Sequence, residues 1–181
     1  EFLVDKSGNF YFMEMNTRIQ VEHPITEMIT GVDIVRQQIR IASGLKLNIK
    51  QKDIKIKGFS IECRITAEDT KNNFAPSPGK IKFLNVPCGN GVRIETAVYN
   101  DYTIPPFYDS MIMKVITYAP TRLACIKKMR AALEELFVDG INTNIEFQYL
   151  LLHSPKFING RYDTGYVAKY IKELSENAEY I

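Results

Sequence analysis

The eleven residues from Glu14 to Pro24 hold the densest set of chemically versatile side chains in the sequence. They include two carboxylates, two amides, a guanidinium and an imidazole, carried by Glu14, Asn16, Arg18, Gln20, Glu22 and His23. Carboxylate and amide oxygens suit a hard ion such as Mg²⁺, and a planar guanidinium can hold a carboxylate, bicarbonate or phosphate through two hydrogen bonds. These residue types predict ATP-driven chemistry on an anion.

An apolar run, Phe10 to Met13, precedes this segment and predicts a β-strand. If the strand continues, its side chains alternate between two faces, so that Glu14, Asn16 and Arg18 project from one side. A second interpretation is an edge strand with a solvated charged face and a turn at His23-Pro24. The functional interpretation is favoured because this face carries no lysine and ends in a Gln, Glu and His cluster before proline.

Short elements must position the segment. Residues 1–4 and 10–15, with a turn at 5–9, predict a hairpin, and Pro24 suits the first turn of a helix that Gly31 interrupts. Asp33 is the predicted N-cap of a second helix that ends at Ser43-Gly44. The apolar stripe predicted for this second helix consists of Val35, Ile39 and Ala42.

The lysine-rich stretch 46–57 predicts a solvated linker and thus a domain boundary. From Gly58 the pattern changes to a period of two, which predicts a half-buried strand with Arg64 on its polar face. Its apolar positions are Ile61, Cys63, Ile65 and Ala67. Residues 81–86 and 92–98 predict further strands, and the almost wholly apolar run 111–118 predicts the central strand.

Three helices are predicted after the strands. Thr121 is the N-cap of the first, with Gly140 beyond its end and an apolar face of Leu123, Ile126, Met129, Leu133 and Leu136. Residues 143–146 have the form of a capping box for the second. The third follows Asp163 and is marked by Val167, Tyr170, Ile171 and Leu174. Strands followed by helices predict an α+β domain with a mainly antiparallel sheet.

Composition restricts the class of protein. A chain of 181 residues with 45% hydrophobic residues can form one good core, and its net charge of +2 gives no indication of a nucleic-acid partner. No apolar run approaches the roughly 20 residues that span a bilayer. The three cysteines have no C-x-x-C spacing, so we expect buried, reduced thiols.

The segment Glu14 to Met28 resembles the signature of biotin carboxylases, which are members of the ATP-grasp superfamily. The resemblance covers practically the whole chain. It continues through Ser60 to Ile65, Ala67 to Asp69, Pro76 to Lys80, Tyr108 to Met111 and Asp139 to Asn144. It implies that residues 1–45 end an ATP-grasp domain, that 46–57 link the two domains, and that 58–181 form the biotin carboxylase C-terminal domain.

The resemblance implies an ATP-dependent ligase that makes carboxyphosphate from ATP and bicarbonate and then carboxylates biotin on a carrier protein. By motif match, Glu1 and Glu14 bind ATP through the metal, and Glu1, Glu14 and Asn16 are the ligands of Mg²⁺ or Mn²⁺. Arg18, Gln20 and the backbone N–H of Val21 would hold bicarbonate, and Glu22 would act as its base. Arg64 would stabilise negative charge on the biotin ureido oxygen. Without the resemblance, Arg64 is interpreted as a surface arginine paired with Glu62 or Glu68.

The resemblance also implies partners. These are a biotin carboxyl carrier protein, a carboxyltransferase component and a second copy of the full-length protein, since Arg93 resembles a position used in subunit contacts. We expect a cytoplasmic enzyme. The wording of Met15 to Arg18 with His23-Pro24 resembles the biotin carboxylase of acetyl-CoA carboxylase, hence fatty acid biosynthesis, with a propionyl-CoA or pyruvate carboxylase as alternatives.

Two further interpretations stay open. The first is a noncatalytic folding and dimerisation module, and the second is another ATP-grasp ligase, which Arg64 and Pro76 to Lys80 disfavour. The chain begins at Glu1 without an initiator Met, so we expect a segment of a longer enzyme whose Gly-rich phosphate loop lies upstream. We expect this segment alone not to turn over ATP. It contains no Met-Lys-Met sequence, so biotin is expected on another segment or subunit.

Overall fold

The computed structural model describes residues 1–169 and 171, which divide into two compact units between Ile56 and Lys57. In the first unit, β1 (Phe2–Val4) and β2 (Phe10–Phe12) pair in antiparallel fashion, with Phe2 opposite Phe12. The predicted hairpin is therefore confirmed, although its second strand is shorter than predicted. Two helices, α1 (His23–Thr30) and α2 (Ile34–Ala42), and a 3₁₀ turn at Gln51–Asp53 complete the unit.

Local sequence signals set the ends of both helices. Pro24 lies in the first turn of α1, and Gly31, with a φ of 72°, ends that helix. The Asp33 carboxylate caps α2 by accepting a hydrogen bond of 2.8 Å from the backbone N–H of Arg36. The predicted stripe of α2 is not buried, since Ile39 is 64% exposed and Val35 and Ala42 are exposed as well.

The second unit is built on a three-stranded antiparallel sheet in the order β3-β10-β8. Its strands, with the shorter pairs around them, are β3 (Phe59–Thr66), β4 (Glu68–Asp69), β5 (Ala75–Pro76), β6 (Gly79–Lys80), β7 (Phe83–Asn85), β8 (Val92–Thr96), β9 (Thr103–Ile104), β10 (Met111–Ala119) and β11 (Phe137–Asp139). The helices are α3 (Arg122–Glu135), α4 (Ile145–His153) and α5 (Pro155–Ile158). The mixed helix and antiparallel sheet content confirms the predicted α+β class.

The strand predicted to be central, β10, does lie between two partners. One face of the sheet packs on α3, so that Ile65 of β3, Val115 of β10 and Ile126 and Met129 of α3 are completely buried. The apolar face of α3 is as predicted except at Leu123, which is 49% exposed because it lies in the first turn, before the buried part of the helix begins.

Several elements differ from the predictions. The strand predicted over 81–86 is shorter than predicted and consists of β7, Phe83–Asn85. It pairs with β11, which the sequence did not predict. Gly140 follows β11 with a φ of 102°, and a Cβ there would clash with the Lys80 carbonyl oxygen, so only glycine fits. The short helix α5 was not predicted either. Residues 166–169 and 171 are helical as predicted, and Tyr170 and Leu174 lie outside the described residues.

All three thiols are free. Cys63 and Cys125 are buried as predicted, whereas Cys88 is exposed in the turn that follows Pro87, so the prediction was wrong there. Burial raises the pKa of Cys63 to about 12. Of the helices in residues 1–169 and 171, none is long and apolar enough to cross a membrane.

Candidate functional site

The predicted metal ligands of the first unit lie together, although the strand does not extend to them. β2 ends at Phe12, and the segment that follows has no ladder partner, so the predicted strand through Arg18 was wrong. Beyond β1 and β2, the backbone N–H of Met13 donates to the Glu1 carbonyl oxygen at 2.9 Å. That bond brings the Glu1 end of the hairpin beside Glu14.

A chain of hydrogen bonds joins four of the candidate residues. The Asn16 amide nitrogen donates to Glu14 Oε1 at 2.8 Å and lies 3.4 Å from Glu1 Oε1, while Asn16 Oδ1 accepts from Arg18 Nη2 at 3.3 Å. One amide therefore connects two carboxylates on one side with a guanidinium on the other. Glu1, Glu14 and Arg18 are exposed and Asn16 is half-buried, so the cluster is open to ligands.

The donor set of this cluster fits Mg²⁺ bound to a phosphate. Mg²⁺ is usually held by one or two carboxylates and completes its shell with substrate phosphates and water. Among residues 1–169 and 171, no group of three or more His, Cys, Asp and Glu side chains gathers around one point. Glu1 and Glu14 could each offer a carboxylate oxygen to such an ion, whereas the Asn16 amide turns its nitrogen toward them and its oxygen toward Arg18.

The remaining candidates of this unit occupy the turn into α1. Arg18 Nη1 donates to the Ile19 carbonyl oxygen at 3.0 Å, which orients the guanidinium along the chain. Gln20 and Val21 are half-buried, and Glu22 is exposed at the N-cap of α1 without a side-chain capping bond. His23 lies with Nδ1 at 2.8 Å from the Gln20 carbonyl oxygen, a contact that stabilises the turn and agrees with a structural role.

Arg64 projects from the polar face of β3 in the second unit. Its side chain is 49% exposed, and its Nε lies 3.4 Å from Oε1 of Glu62, whose side chain is only 3% exposed. Glu68, the other predicted partner, instead accepts from Thr66 Oγ1 at 2.8 Å and from Ser110 Oγ at 2.5 Å. The surface-arginine interpretation named Glu62 or Glu68 as the partner, and the contact seen is the one with Glu62.

The backbone of Arg64 is held from α4. Its carbonyl oxygen accepts hydrogen bonds from Asn144 Nδ2 at 3.0 Å and from Gln148 Nε2 at 2.5 Å. The predicted capping box was wrong, because Asn144 rather than Thr143 is the N-cap of α4 and its side chain makes no capping bond. The amide is used for the contact with β3 instead. The sequence pointed to Asn144 only as part of the resemblance and of the capping box, and it did not point to Gln148, since each residue lies at least 80 residues from Arg64.

Other motif segments also meet around β3. The backbone N–H of Asn142 donates to Ser77 Oγ at 3.0 Å, and the Ser77 N–H donates to the Ala67 carbonyl oxygen at 2.8 Å. The Ala67 N–H in turn donates to the Ser110 carbonyl oxygen at 2.8 Å. These segments are far apart in sequence, and their contacts fix the strand that carries Arg64.

A group of charged side chains crosses the same face of the sheet. In register, Arg64 of β3 lies opposite Lys114 of β10, which lies opposite Glu95 of β8. Glu95 forms ion pairs with both Lys114 and Arg93. Burial alone would raise the pKa of Glu95, but the hydrogen bonds from Lys114 and Arg93 outweigh it and lower the pKa. Arg93 and Glu95 are half-buried, and Lys114 is buried.

Comparison with known protein families agrees with this geometry. The sequence profile described as "Biotin carboxylase C-terminal domain" matches residues 62–169, more than half of the chain. The chain belongs to the biotin carboxylase family. A second profile, "Carbamoyl-phosphate synthase L chain, ATP binding domain", matches residues 1–50, which include the Glu14 cluster of this biotin carboxylase segment.

Individual relatives cover almost all of the chain. It is 56% identical over 169 residues to the biotin carboxylase of Haemophilus influenzae, covering 93% of this chain and 37% of that protein. It is 52% identical over 170 residues to a pyruvate carboxylase subunit of Methanothermobacter thermautotrophicus, covering 94% and 34%. The chain thus spans little more than a third of the length of the curated relatives that it matches.

A solved structure supports the same relationship. The biotin carboxylase domain dimer of Hydrogenobacter thermophilus 2-oxoglutarate carboxylase, crystallised with MgADP, ADP and bicarbonate, superposes with a TM-score of 0.92 at 48% identity. The match covers 96% of this chain and 38% of that one. The fold of this biotin carboxylase segment is therefore that of a domain known to bind a magnesium nucleotide and bicarbonate in that relative.

Proposed function

We propose that the chain is part of an ATP-dependent biotin carboxylase, a ligase that activates bicarbonate as carboxyphosphate and carboxylates biotin on a carrier protein. The observation that supports this proposal most strongly is the joined cluster of Glu1, Glu14, Asn16 and Arg18. It places oxygen ligands for a metal next to a cation suited to an anionic substrate. In the same proposal, residues 1–45 end the ATP-grasp domain, 46–57 link the domains, and 58–181 form the C-terminal domain.

At the first site, Glu1, Glu14 and Asn16 would hold Mg²⁺ or Mn²⁺. When bound, the metal would neutralise charge on the ATP phosphates during phosphoryl transfer. Arg18 carries a planar guanidinium, which can bind a planar trigonal anion through two N–H groups. Its guanidinium, with Gln20 and the Val21 N–H, would therefore hold bicarbonate.

Glu22 would be the base that takes the bicarbonate proton. The residue is exposed at the N-cap of α1, where its side chain makes no capping bond. A carboxylate at hydrogen-bond distance from the bicarbonate hydroxyl can accept that proton as a bicarbonate oxygen attacks the terminal phosphorus of ATP and the bond to the β-phosphate breaks, which releases ADP.

Arg64 would act in the second step. Removing the ureido proton of biotin moves negative charge onto the ureido oxygen, and a cation fixed in advance stabilises that charge most in the transition state. The half-exposed guanidinium on a strand anchored by the motif segments is suited to that role. The alternative role, a surface arginine, would leave both half-reactions unaffected by its replacement.

A paired experiment in the full-length protein tests these assignments. Bicarbonate-dependent ATP cleavage without biotin and biotin carboxylation are measured for Arg18→Lys and Arg64→Lys. Arg18→Lys should raise the bicarbonate KM and slow both reactions, because lysine lacks the planar fork. Arg64→Lys should slow biotin carboxylation alone. If both variants retain both activities, the chain acts as a folding and dimerisation module and the proposal is wrong.

The acceptor that finally receives the carboxyl group defines the complex. We propose acetyl-CoA, and hence fatty acid biosynthesis, on the wording of Met15 to Arg18 with His23-Pro24. The 52% identity to a pyruvate carboxylase subunit favours pyruvate as a second candidate, since it is close to the identity with the dedicated biotin carboxylase. The two acceptors are distinguished by supplying the carboxylated carrier to an acetyl-CoA carboxyltransferase component and to a pyruvate carboxyltransferase component. The component that transfers the carboxyl group identifies the acceptor.

The assembly that follows from this proposal contains several partners. They are a biotin carboxyl carrier protein, a carboxyltransferase component and a second copy of the full-length protein, all in the cytoplasm. The dimer named for the 2-oxoglutarate carboxylase domain supports the homodimer. Sedimentation of the full-length protein with and without carrier would test both associations.

A further inference from the structure

One edge of β3 is closed by a helix instead of a strand. β3 is the terminal strand of the sheet and pairs only with β10 within it, so the backbone groups of Arg64 and Thr66 on its other edge need partners. Asn144 supplies three of these. Its backbone N–H donates to the Thr66 carbonyl oxygen at 3.2 Å, its Oδ1 accepts from the Thr66 N–H at 3.0 Å, and its Nδ2 donates to the Arg64 carbonyl oxygen at 3.0 Å.

Gln148 adds a fourth bond from the same side of α4. Asn144 and Gln148 are four residues apart, so their side chains lie one above the other along the helix. Both donate to the Arg64 carbonyl oxygen, which thereby uses both of its lone pairs. Asn144 is 9% exposed, so loss of either bond could not be fully compensated by water.

An edge cap that served only stability could be made anywhere along β3. Here the four bonds concentrate on residues 64–66, and two of them end on Arg64 itself. The Arg64 side chain is half exposed, and its contact with Glu62 is long at 3.4 Å. The direction of the Arg64 Cα–Cβ bond follows from the orientation of its backbone, so the bonds from Asn144 and Gln148 restrict where the guanidinium can reach.

We infer that Asn144 and Gln148 are positioning residues for Arg64 in biotin carboxylation, a role that rests on the proposed function of Arg64. Their two amide donors fix the peptide group that follows Arg64. Because that peptide sets the direction of the Arg64 side chain, they also orient the guanidinium toward the ureido oxygen. An error of about 1 Å in such a group is enough to slow a reaction about 100-fold, without any loss of binding elsewhere.

Asn144→Asp in the full-length protein tests the inference. Aspartate keeps the size of the side chain and the acceptor for the Thr66 N–H but removes the donor to the Arg64 carbonyl oxygen. Biotin carboxylation should fall about 10- to 100-fold. Bicarbonate-dependent ATP cleavage without biotin, and the KM values for ATP and bicarbonate, should stay within about twofold. Asn142→Asp is the matched control, because Asn142 is exposed and contacts Ser77 through its backbone only.

A double variant of Asn144 and Arg64 distinguishes a positioning role of Asn144 from a general contribution to stability. If Asn144 acts through Arg64, Asn144→Asp should cause no further loss of biotin carboxylation when Arg64→Lys is already present. Losses that multiply in the double variant, or equal losses in both reactions, would overturn the inference. So would an unchanged rate in Asn144→Asp. If Asn144→Asp does not fold, Gln148→Met removes the second donor at a half-buried position and carries the same comparisons.

The two levels of the proposal fail differently. If Arg64→Lys by itself leaves biotin carboxylation intact, the role assigned to Arg64 is wrong and the positioning role falls with it. If Arg64→Lys is selectively impaired while both Asn144→Asp and Gln148→Met behave like Asn142→Asp, the proposed function stands and the positioning role alone is refuted.

Discussion

Replacing Glu14 by glutamine tests the proposed metal site with little disturbance of its shape. Glu14 Oε1 accepts a hydrogen bond of 2.8 Å from the Asn16 amide, and a glutamine oxygen can accept the same bond. The substitution therefore removes one negative charge and leaves the cluster connected. Because Glu14 is exposed, the free energy of unfolding should change little.

The expected magnitude follows from charge and exposure. A divalent ion and one carboxylate about 4 Å apart attract by about 2 kcal/mol in water and about 8 kcal/mol at an effective dielectric constant of 20. The lower figure is the minimum, since it treats Glu14 as fully solvated, as Glu14, Glu1 and Arg18 are in this segment. A loss of about 2 kcal/mol corresponds to an increase of about 30-fold in the Mg²⁺ concentration that gives half-maximal activity.

The assay is bicarbonate-dependent ATP cleavage by the full-length protein, titrated with free Mg²⁺ at a fixed concentration of MgATP. Glu135→Gln is the control, since Glu135 is an exposed glutamate at the end of α3. It should leave the titration unchanged. A half-maximal Mg²⁺ concentration that is the same in Glu14→Gln, Glu135→Gln and wild type would refute the ligand role of Glu14.

Three further predictions concern the second unit. Met129→Ala should lower the free energy of unfolding by about 2 to 5 kcal/mol in urea denaturation, because Met129 is completely buried. Leu123→Ala on the same helix should cost much less, and equal losses would contradict the assigned packing. Glu95→Gln should remove a stabilisation that is present above the unfolded pKa of about 4.5 and lost as pH falls through the lowered folded pKa. The difference in Tm from wild type should therefore shrink on acidification, and a difference independent of pH would contradict it. Cys88 is the exposed thiol of this segment, so Cys88→Ser should abolish its reaction with Ellman's reagent near pH 8. Cys63→Ser and Cys125→Ser should leave that reaction unchanged, because these two thiols are buried and their pKa values are raised.

Local patterns in the sequence were sufficient for much of the fold. The period of two around Cys63 and Ile65 identified β3, because alternate side chains of a half-buried strand face the core. Asp33 and Thr121 were predicted as N-caps and cap their helices with side-chain hydrogen bonds, since capping depends only on residues within one turn. The candidate residues from Glu14 to Glu22 could also be predicted from the sequence, because they lie within a few consecutive positions.

Contacts between residues that are far apart in the sequence could be identified only from the tertiary structure. The sequence around Asn144 has the form of a capping box, but its amide bonds to β3 residues that precede it by 78 and 80 positions. Similarly, Glu95 meets Lys114 only because β8 and β10 pair in one particular register. Local propensity acts over a turn or a few strand residues, whereas these contacts depend on how a helix docks and how strands align. The sequence by itself therefore determined which side chains could do chemistry, and only the packed structure determined which backbone and which neighbours hold Arg64 in place.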